Sequence, residues 1–302
     1  MKQILVISGK GGTGKTVLTA SFASLAKNKV MADCDVDAAD LHLLLHPSIK
    51  ENHKFQGHSK AVIDQENCTD CGECVKVCRY NAIMKVKREK SKVKSEIKEL
   101  QSSTSHFYID PISCEGCKLC LYTCPVEAIS MQENISGEWY ISETKYGPMV
   151  HAKLGIAAEN SGKLVSIVRQ NARSIAEKTN AGYVIIDGPP GIGCPVIASL
   201  SGVDIALVVT EPTLSGIHDM ERVIGVARHF GIRTACVINK YDINLVNTKN
   251  IEDWCRISDI PLIGKIPYDL SVTESIVKGM PIVEYADNAI TKAIKEVWWN
   301  LS

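Results

Sequence analysis

The chain has no surplus of either charge: 34 lysines and arginines stand against 34 aspartates and glutamates in 302 residues. That balance gives no support for a strongly electropositive nucleic-acid binder, although a local basic patch fits within it. Long apolar runs are missing too. None approaches the roughly 18 residues that a membrane-crossing helix needs. The opening Met1-Lys-Gln-Ile-Leu-Val-Ile-Ser8 has too short an apolar stretch for a signal peptide and no small-residue cleavage site. These absences predict a cytoplasmic protein with neither nucleic-acid nor membrane partners. With 23% charged and 45% hydrophobic residues, the composition is that of a folded globular chain. What it does have is twelve cysteines. Disulfides are rare in a reducing compartment, so metal is the expectation.

Eight of the twelve fall in two runs, Cys68-x2-Cys71-x2-Cys74-x3-Cys78 and Cys114-x2-Cys117-x2-Cys120-x3-Cys124, the second followed by Pro125. The flanks repeat as well, Asp64 and Asn81-Ala-Ile against Asp110 and Glu127-Ala-Ile. An internal duplication of this kind predicts two similar half-modules packed together. Three thiolates at three-residue intervals can wrap one face of an iron–sulfur cubane, whereas the fourth lies far along the chain. Paired Cys-x2-Cys units also build zinc sites. Four evenly spaced cysteines, duplicated and followed by proline, match zinc poorly.

The runs resemble those of bacterial two-cluster ferredoxins over about residues 60–133. The resemblance implies two [4Fe–4S] clusters with crosswise ligation, because in those proteins the fourth cysteine serves the other cluster. One set would be Cys68, Cys71, Cys74 and Cys124, the other Cys78, Cys114, Cys117 and Cys120. Arg79 stands where the first run would have proline, and a cation there would raise that cluster's potential or hydrogen-bond a sulfur. The 35 residues between Cys78 and Cys114 exceed what a compact ferredoxin needs. The extra stretch, Lys85 to Leu100, carries seven Lys/Arg and three Glu and reads as a solvated hairpin or loop.

A second constellation opens the chain. The apolar strand Ile4–Ile7 runs into Gly9-Lys10-Gly11-Gly12-Thr13-Gly14-Lys15-Thr16 and then a helix beginning with Val17. Strand, glycine loop and helix form the context of a P-loop. Its backbone N–H groups converge on phosphates at the positive end of a helix dipole. Lys15 would reach the β/γ-phosphates, and Thr16 would supply part of the Mg²⁺ shell. The additional Lys10 makes the loop resemble the deviant Walker A motif of the MinD/ParA/nitrogenase-iron-protein superfamily. That resemblance implies an ATPase in which two protomers sandwich the nucleotides and Lys10 reaches across to the partner's phosphates, as an arginine finger does.

The same resemblance assigns further residues. In Asp33-Cys34-Asp35-Val36-Asp37-Ala-Ala-Asp40, similar to switch I, Asp35 would orient the attacking water; Asp37 and Asp40 read better as acids near a helix N-terminus. Tyr183–Asp187-Gly-Pro-Pro-Gly191 resembles Walker B and switch II, with Asp187 holding Mg²⁺. Asn239 and Lys240 would lie beside the purine, with Pro267 closing the base pocket opposite.

Outside the cysteine block, strands are expected near 3–8, 30–33, 183–187, 204–210, 234–239 and 261–266, with a long helix from near Lys163. This βα alternation predicts an α/β, doubly wound, mostly parallel sheet. The parts would be an ATPase domain over 1–58 and 135–302, interrupted at 59–134 by an inserted α+β ferredoxin-like domain. Nearly the whole chain resembles the MinD-superfamily ATPases that carry such an insert. The resemblance implies a homodimer, or a dimer with a paralogous subunit, in which the nucleotide cycle gates electron transfer to a partner metalloprotein or a metal centre under assembly. An iron–sulfur carrier is the second reading and a ParA-like positioning ATPase the third.

Cys34, Cys236 and Cys255 are expected to be structural thiols. Cys194 sits in a tight turn where a bridging cluster would need a second cysteine that the 159–163 segment lacks. His151 and His218 read as structural, and the amphipathic stretch Tyr285–Leu301 as packed against the domain.

Overall fold

The computed structural model describes residues 1–87, 105–155 and 161–302. Most of the Lys-rich stretch after Cys78 lies outside the described residues. The chain divides into two compact units. The larger holds Met1–Lys54, Glu138–Leu154 and the described residues from 161 onward; the smaller holds those of Phe55–Gly137, together with Gly155.

In chain order the strands are β1 (Lys2–Ser8), β2 (Lys29–Asp33), β3 (Ser48–Gln56), β4 (Lys60–Ile63) and β5 (Ile83–Lys87). There follow β6 (Ser105–Ile109), β7 (Ile129–Gln132), β8 (Ile135–Thr144) and β9 (Gly147–Leu154). The last four are β10 (Tyr183–Pro190), β11 (Ile205–Thr210), β12 (Thr234–Asn239) and β13 (Leu262–Ile266). Nine of them make one sheet in the order β13-β12-β11-β1-β10-β2-β9-β8-β3. The six pairings from β13 through to β9 are parallel.

The central strands are runs of Val, Ile and Leu because both faces are covered, and alternate residues point to opposite layers. Ile4 and Val6 join Leu18, Phe22, Ile294, Val297 and Trp298 in one core cluster. Trp298 packs against both Phe22 and Tyr183, with ring centroids 5.3 and 5.4 Å apart. The amphipathic C-terminal helix, Ala289–Leu301, thus packs on the sheet, leaving Trp299 exposed.

The six strands expected from the sequence are present. The strands β3, β8 and β9 at one edge were not expected. β3 reads Ser-Ile-Lys-Glu-Asn-His-Lys-Phe-Gln and exposes most of its residues, so it lacks the apolar run that marks the central strands. β8 and β9 are joined by the two-residue turn Lys145–Tyr146, where Gly147 at φ 115° and the Thr144 hydroxyl close the connection. His151 is structural: it lies on β9, buried and hydrogen-bonded at 2.8 Å to Ser142 of β8.

The smaller unit is built on its repeat. β4 pairs with β7 and β5 with β6, both antiparallel. Each half is strand, short helix (Glu73–Val77 or Leu119–Thr123), strand, and each first strand pairs with the last strand of the other half. The crossing bonds repeat too. Asp64 N–H donates to the Ala128 carbonyl at 2.7 Å, and Asp110 N–H to that of Ala82 at 2.8 Å.

Candidate functional site

The glycine loop leaves β1 at Ser8 and enters the helix Lys15–Leu25. Its root is fixed by packing: a Cβ on Gly9 would stand 2.4–2.5 Å from atoms of Asp219. Its mouth needs left-handed backbone, with Gly12 at φ 78° and Gly14 at φ 91°. Gly14 also has no room for a side chain, since a Cβ there would meet the Asn239 amide nitrogen at 2.4 Å. Lys15 is only 6% exposed. The Thr13 hydroxyl is buried without a hydrogen-bond partner. A buried orphan hydroxyl beside a buried lysine suits a loop whose missing partner is an anion.

Three carboxylates face this loop from the ends of β2 and β10, where the parallel register sets Asp33 opposite Asp187. Asp187 accepts from the Thr16 hydroxyl at 2.8 Å and from Thr19 at 3.0 Å. Asp33 accepts from the backbone N–H of Asp35 at 3.1 Å and of Leu41 at 3.3 Å, tying down both ends of the segment that carries Asp35. Burial pushes Asp33 well above the usual carboxylate range, and the neighbouring Asp187 adds to it. Asp187 is raised by its own burial, against the opposing pull of Lys15, Thr16 and Thr19. Asp35 is raised to about 6, first by burial, with Lys15 lowering and Asp187 raising it. Thr16 and Asp187, in direct contact, are oxygen donors of the kind that a hard divalent cation takes.

Asp35→Asn carries a pH signature. A carboxyl raised in the folded state destabilises that state above its unfolded pKa, and the destabilisation is complete above about pH 6. The ligand-free variant is therefore expected to melt higher than the parent at pH 7–8 and to match it near pH 4. Thermal melts across that range check it; a gain that persists at pH 4 would contradict the assignment.

Beside the loop lies a cavity of about 240 Å³, lined by Gly12, Gly14, Val17, Asn239, Lys240 and Pro267 among others. Asn239, Lys240 and Pro267, the residues expected beside the base, all line this cavity, and Asn239 has a second role. The amide donates to the Thr13 carbonyl at 2.8 Å, and its oxygen accepts from Lys240 N–H at 3.0 Å. Asn239 pins the glycine loop, and Tyr268 and Asp269 line the cavity that Pro267 was expected to close. Lys10 is not extended into solvent. It is paired with Glu211 at 2.5 Å, and Lys240 reaches the same carboxylate at 3.3 Å. Glu211, Asp33 and Thr19 were missed by the sequence reading. Asp33 could have been found as the first acid of the Asp-x-Asp pair, and Thr19 as the hydroxyl one helical turn beyond Lys15.

In the smaller unit the eight cysteines gather four and four. Cys68, Cys71, Cys74 and Cys124 line one small cavity with Ile63, Phe107 and Ile129. Cys78, Cys114, Cys117 and Cys120 line another with Ala61, Ile83 and Ile109. Cys124 accepts a hydrogen bond from Ala128 N–H at 3.3 Å. Burial raises the thiols of Cys74 and Cys120; Cys68 and Cys71 add to the first shift, and Cys114 and Cys117 to the second. Arg79 is exposed and does not line the second cavity, whereas Pro125, its counterpart, lines the first. Among the described residues no three of His, Cys, Asp or Glu close on a point that a single ion would fill. Of the other thiols, Cys34, Cys236 and Cys255 are buried and Cys194 is exposed.

The parallel sheet, the glycine loop at the end of its central strand and the acid pair opposite define a P-loop nucleotide-binding fold. The family model for the CobQ/CobB/MinD/ParA nucleotide binding domain matches residues 4–282, and the chain belongs to that family. An uncharacterised protein of Methanocaldococcus jannaschii is 31% identical over 304 residues, covering 99% of this chain and 96% of its own. The septum site-determining protein MinD of Neisseria meningitidis is 29% identical over 126 residues, 38% of this chain and 46% of its own. Among solved structures, MinD complexed with Mg-ADP from Pyrococcus horikoshii superposes with TM-score 0.57 at 17% identity, covering 100% of this chain and 96% of that one. The functional names among these matches belong to cell-division proteins, the class that the sequence reading ranked third.

Proposed function

We propose that the chain is a Mg²⁺-dependent ATPase that works as a dimer and carries two [4Fe–4S] clusters in an inserted ferredoxin-like module, Phe55–Gly137. The observation that carries this reading is the partition of the cysteines into two cavities, Cys124 with the first run and Cys78 with the second. Apolar walls, a backbone N–H aimed at a cysteine sulfur and crossing strands suit clusters held permanently rather than as cargo. Bound there, the clusters would supply one-electron transfer, gated by the nucleotide cycle and directed to a partner metalloprotein or a metal centre under assembly.

On the ATPase side, Lys15 and Lys10 neutralise phosphate charge, Thr16 and Asp187 hold Mg²⁺, and Asp35 orients the attacking water. The positioning class is the reading that the comparisons favour, through the family match over residues 4–282 and the names of the matched cell-division proteins. It predicts a chain that binds no iron. Anaerobic reconstitution followed by iron and sulfide analysis separates the two. About eight irons per chain are expected from two cubanes. A chain that stays colourless while hydrolysing ATP would favour positioning.

A further inference from the structure

The lysine that marks this loop, Lys10, lies against a receptor within its own chain. Its ammonium group meets Glu211 at 2.5 Å, the Thr213 hydroxyl at 3.1 Å and the Ser215 hydroxyl at 3.2 Å. The receptor also has support of its own. Thr213 caps the helix Leu214–His229, its hydroxyl accepting from Gly216 N–H at 3.0 Å. The backbone beneath Lys10 is held to the same helix, because Gly9 packs directly on Asp219. A change of partners would thus fall to the Lys10 side chain. Glu211 also takes Lys240, whose ammonium group lies 3.3 Å from the Gly12 carbonyl. One carboxylate, 12% exposed, thus sits between two ammonium groups of the nucleotide site. Burial raises this carboxyl, but the two lysines outweigh it and the net direction is down.

We propose that Glu211 is a positioning residue that holds Lys10 inside its own protomer until triphosphate charge draws it away. Glu211 occupies the electrostatic place of the phosphates, so Lys10 trades one anion for another and is never left unpaired. The exchange sets how much ATP is needed to complete the site. The proposal rests on the reading of Lys10 as the lysine that serves the bound nucleotide.

Lysine-directed reductive methylation of the purified full chain, read residue by residue by mass spectrometry, tests the contact directly. Lys10 is expected to be protected in the parent, to react about tenfold faster in Glu211→Gln, and to be protected again in Glu211→Asp. Equal reactivity of Lys10 in the parent and Glu211→Gln overturns the proposal. Calorimetric titration with Mg–ATP tests the consequence. Glu211→Gln is expected to lower the half-saturating concentration about tenfold when Lys10 is present and not at all in a Lys10→Gln background. An equal shift in both backgrounds means that Glu211 acts through Lys240 or the fold, and overturns the proposal as well. If Lys10→Gln alone leaves ATP binding and turnover unchanged, the reading of Lys10 itself fails, which is a separate result.

Discussion

Replacing Cys74 and Cys78, four residues apart in one run, is expected to abolish both [4Fe–4S] signals. Replacing Cys74 and Cys124, which lie 50 residues apart, is expected to abolish one. The reason is where the strands carry the fourth cysteine. β7 pairs with β4 in the register Ile63↔Ile129, and Asp64 N–H binds the Ala128 carbonyl. That bond brings the loop from Cys124 to Ala128 beside the loop that starts at Asp64. β5 and β6 do the same for Cys78 through Ile83↔Ile109 and the bond from Asp110 to Ala82. Cys74 and Cys78 thus line different cavities, so one double substitution to alanine would take a ligand from each proposed cluster. If each run instead held its own cluster, the two double variants would exchange outcomes. Anaerobic electron paramagnetic resonance of dithionite-reduced protein, with iron counted per chain, reads the difference. Retention of one signal in Cys74→Ala/Cys78→Ala together with loss of both in Cys74→Ala/Cys124→Ala would overturn the crosswise assignment.

The parts of this chain that were legible in advance share a physical property: their function needs residue types that few other demands produce. The glycines of the P-loop are required by left-handed backbone at Gly12 and Gly14 and by the lack of space at Gly14. The central strands are legible because burial on both faces admits little besides β-branched and aliphatic residues. β3 was missed because, as the edge strand, it exposes most of its residues and reads as a polar linker; β8 is only partly buried, and the buried stretch of β9, Met149–Ala152, is short and broken by His151. The second task of Asn239 was not legible, because adjacency in sequence does not say which way an amide turns: it lines the cavity and also bonds to Thr13 and Lys240, holding the loop. Glu211 carries no motif. Its importance comes from two lysines, 201 and 29 positions away, that converge on one carboxylate only in the fold. Long-range electrostatic partners of this kind are the least readable feature of a single sequence, since no spacing rule links them.

Asp187→Asn is expected to move stability and activity in opposite directions. The carboxyl lies buried at the end of β10, opposite the equally buried Asp33. Burial disfavours its charge, and the hydroxyls of Thr16 and Thr19 and the charge of Lys15 offset that only in part, leaving the group raised. Without a cation, an ionised Asp187 therefore destabilises the fold at neutral pH, and the neutral amide removes that burden while keeping an oxygen for one threonine hydroxyl. The ligand-free variant is expected to melt above the parent at pH 7–8, with the gain shrinking as the pH falls toward the ordinary carboxylate range. Mg–ATP reverses the order. In the parent the ion would compensate the acid pair and add stability by mass action. The variant has lost half of the Thr16–Asp187 pair that would hold Mg²⁺, so its melting temperature is expected to respond weakly to Mg–ATP. Hydrolysis is expected to fall on the order of 10³-fold, because phosphoryl transfer here depends on positioning and charge neutralisation. Lys15→Ala gives the contrast: it is expected to lose turnover to a similar degree, but without the ligand-free gain, since removing the lysine deletes a cation whose charge lowers both Asp187 and Asp35. Paired thermal melts with and without Mg–ATP, alongside phosphate-release assays, distinguish the two patterns. A ligand-free Asp187→Asn protein that melts below the parent would show that the carboxylate is structural, and the assignment of Asp187 to the ion would fall with it.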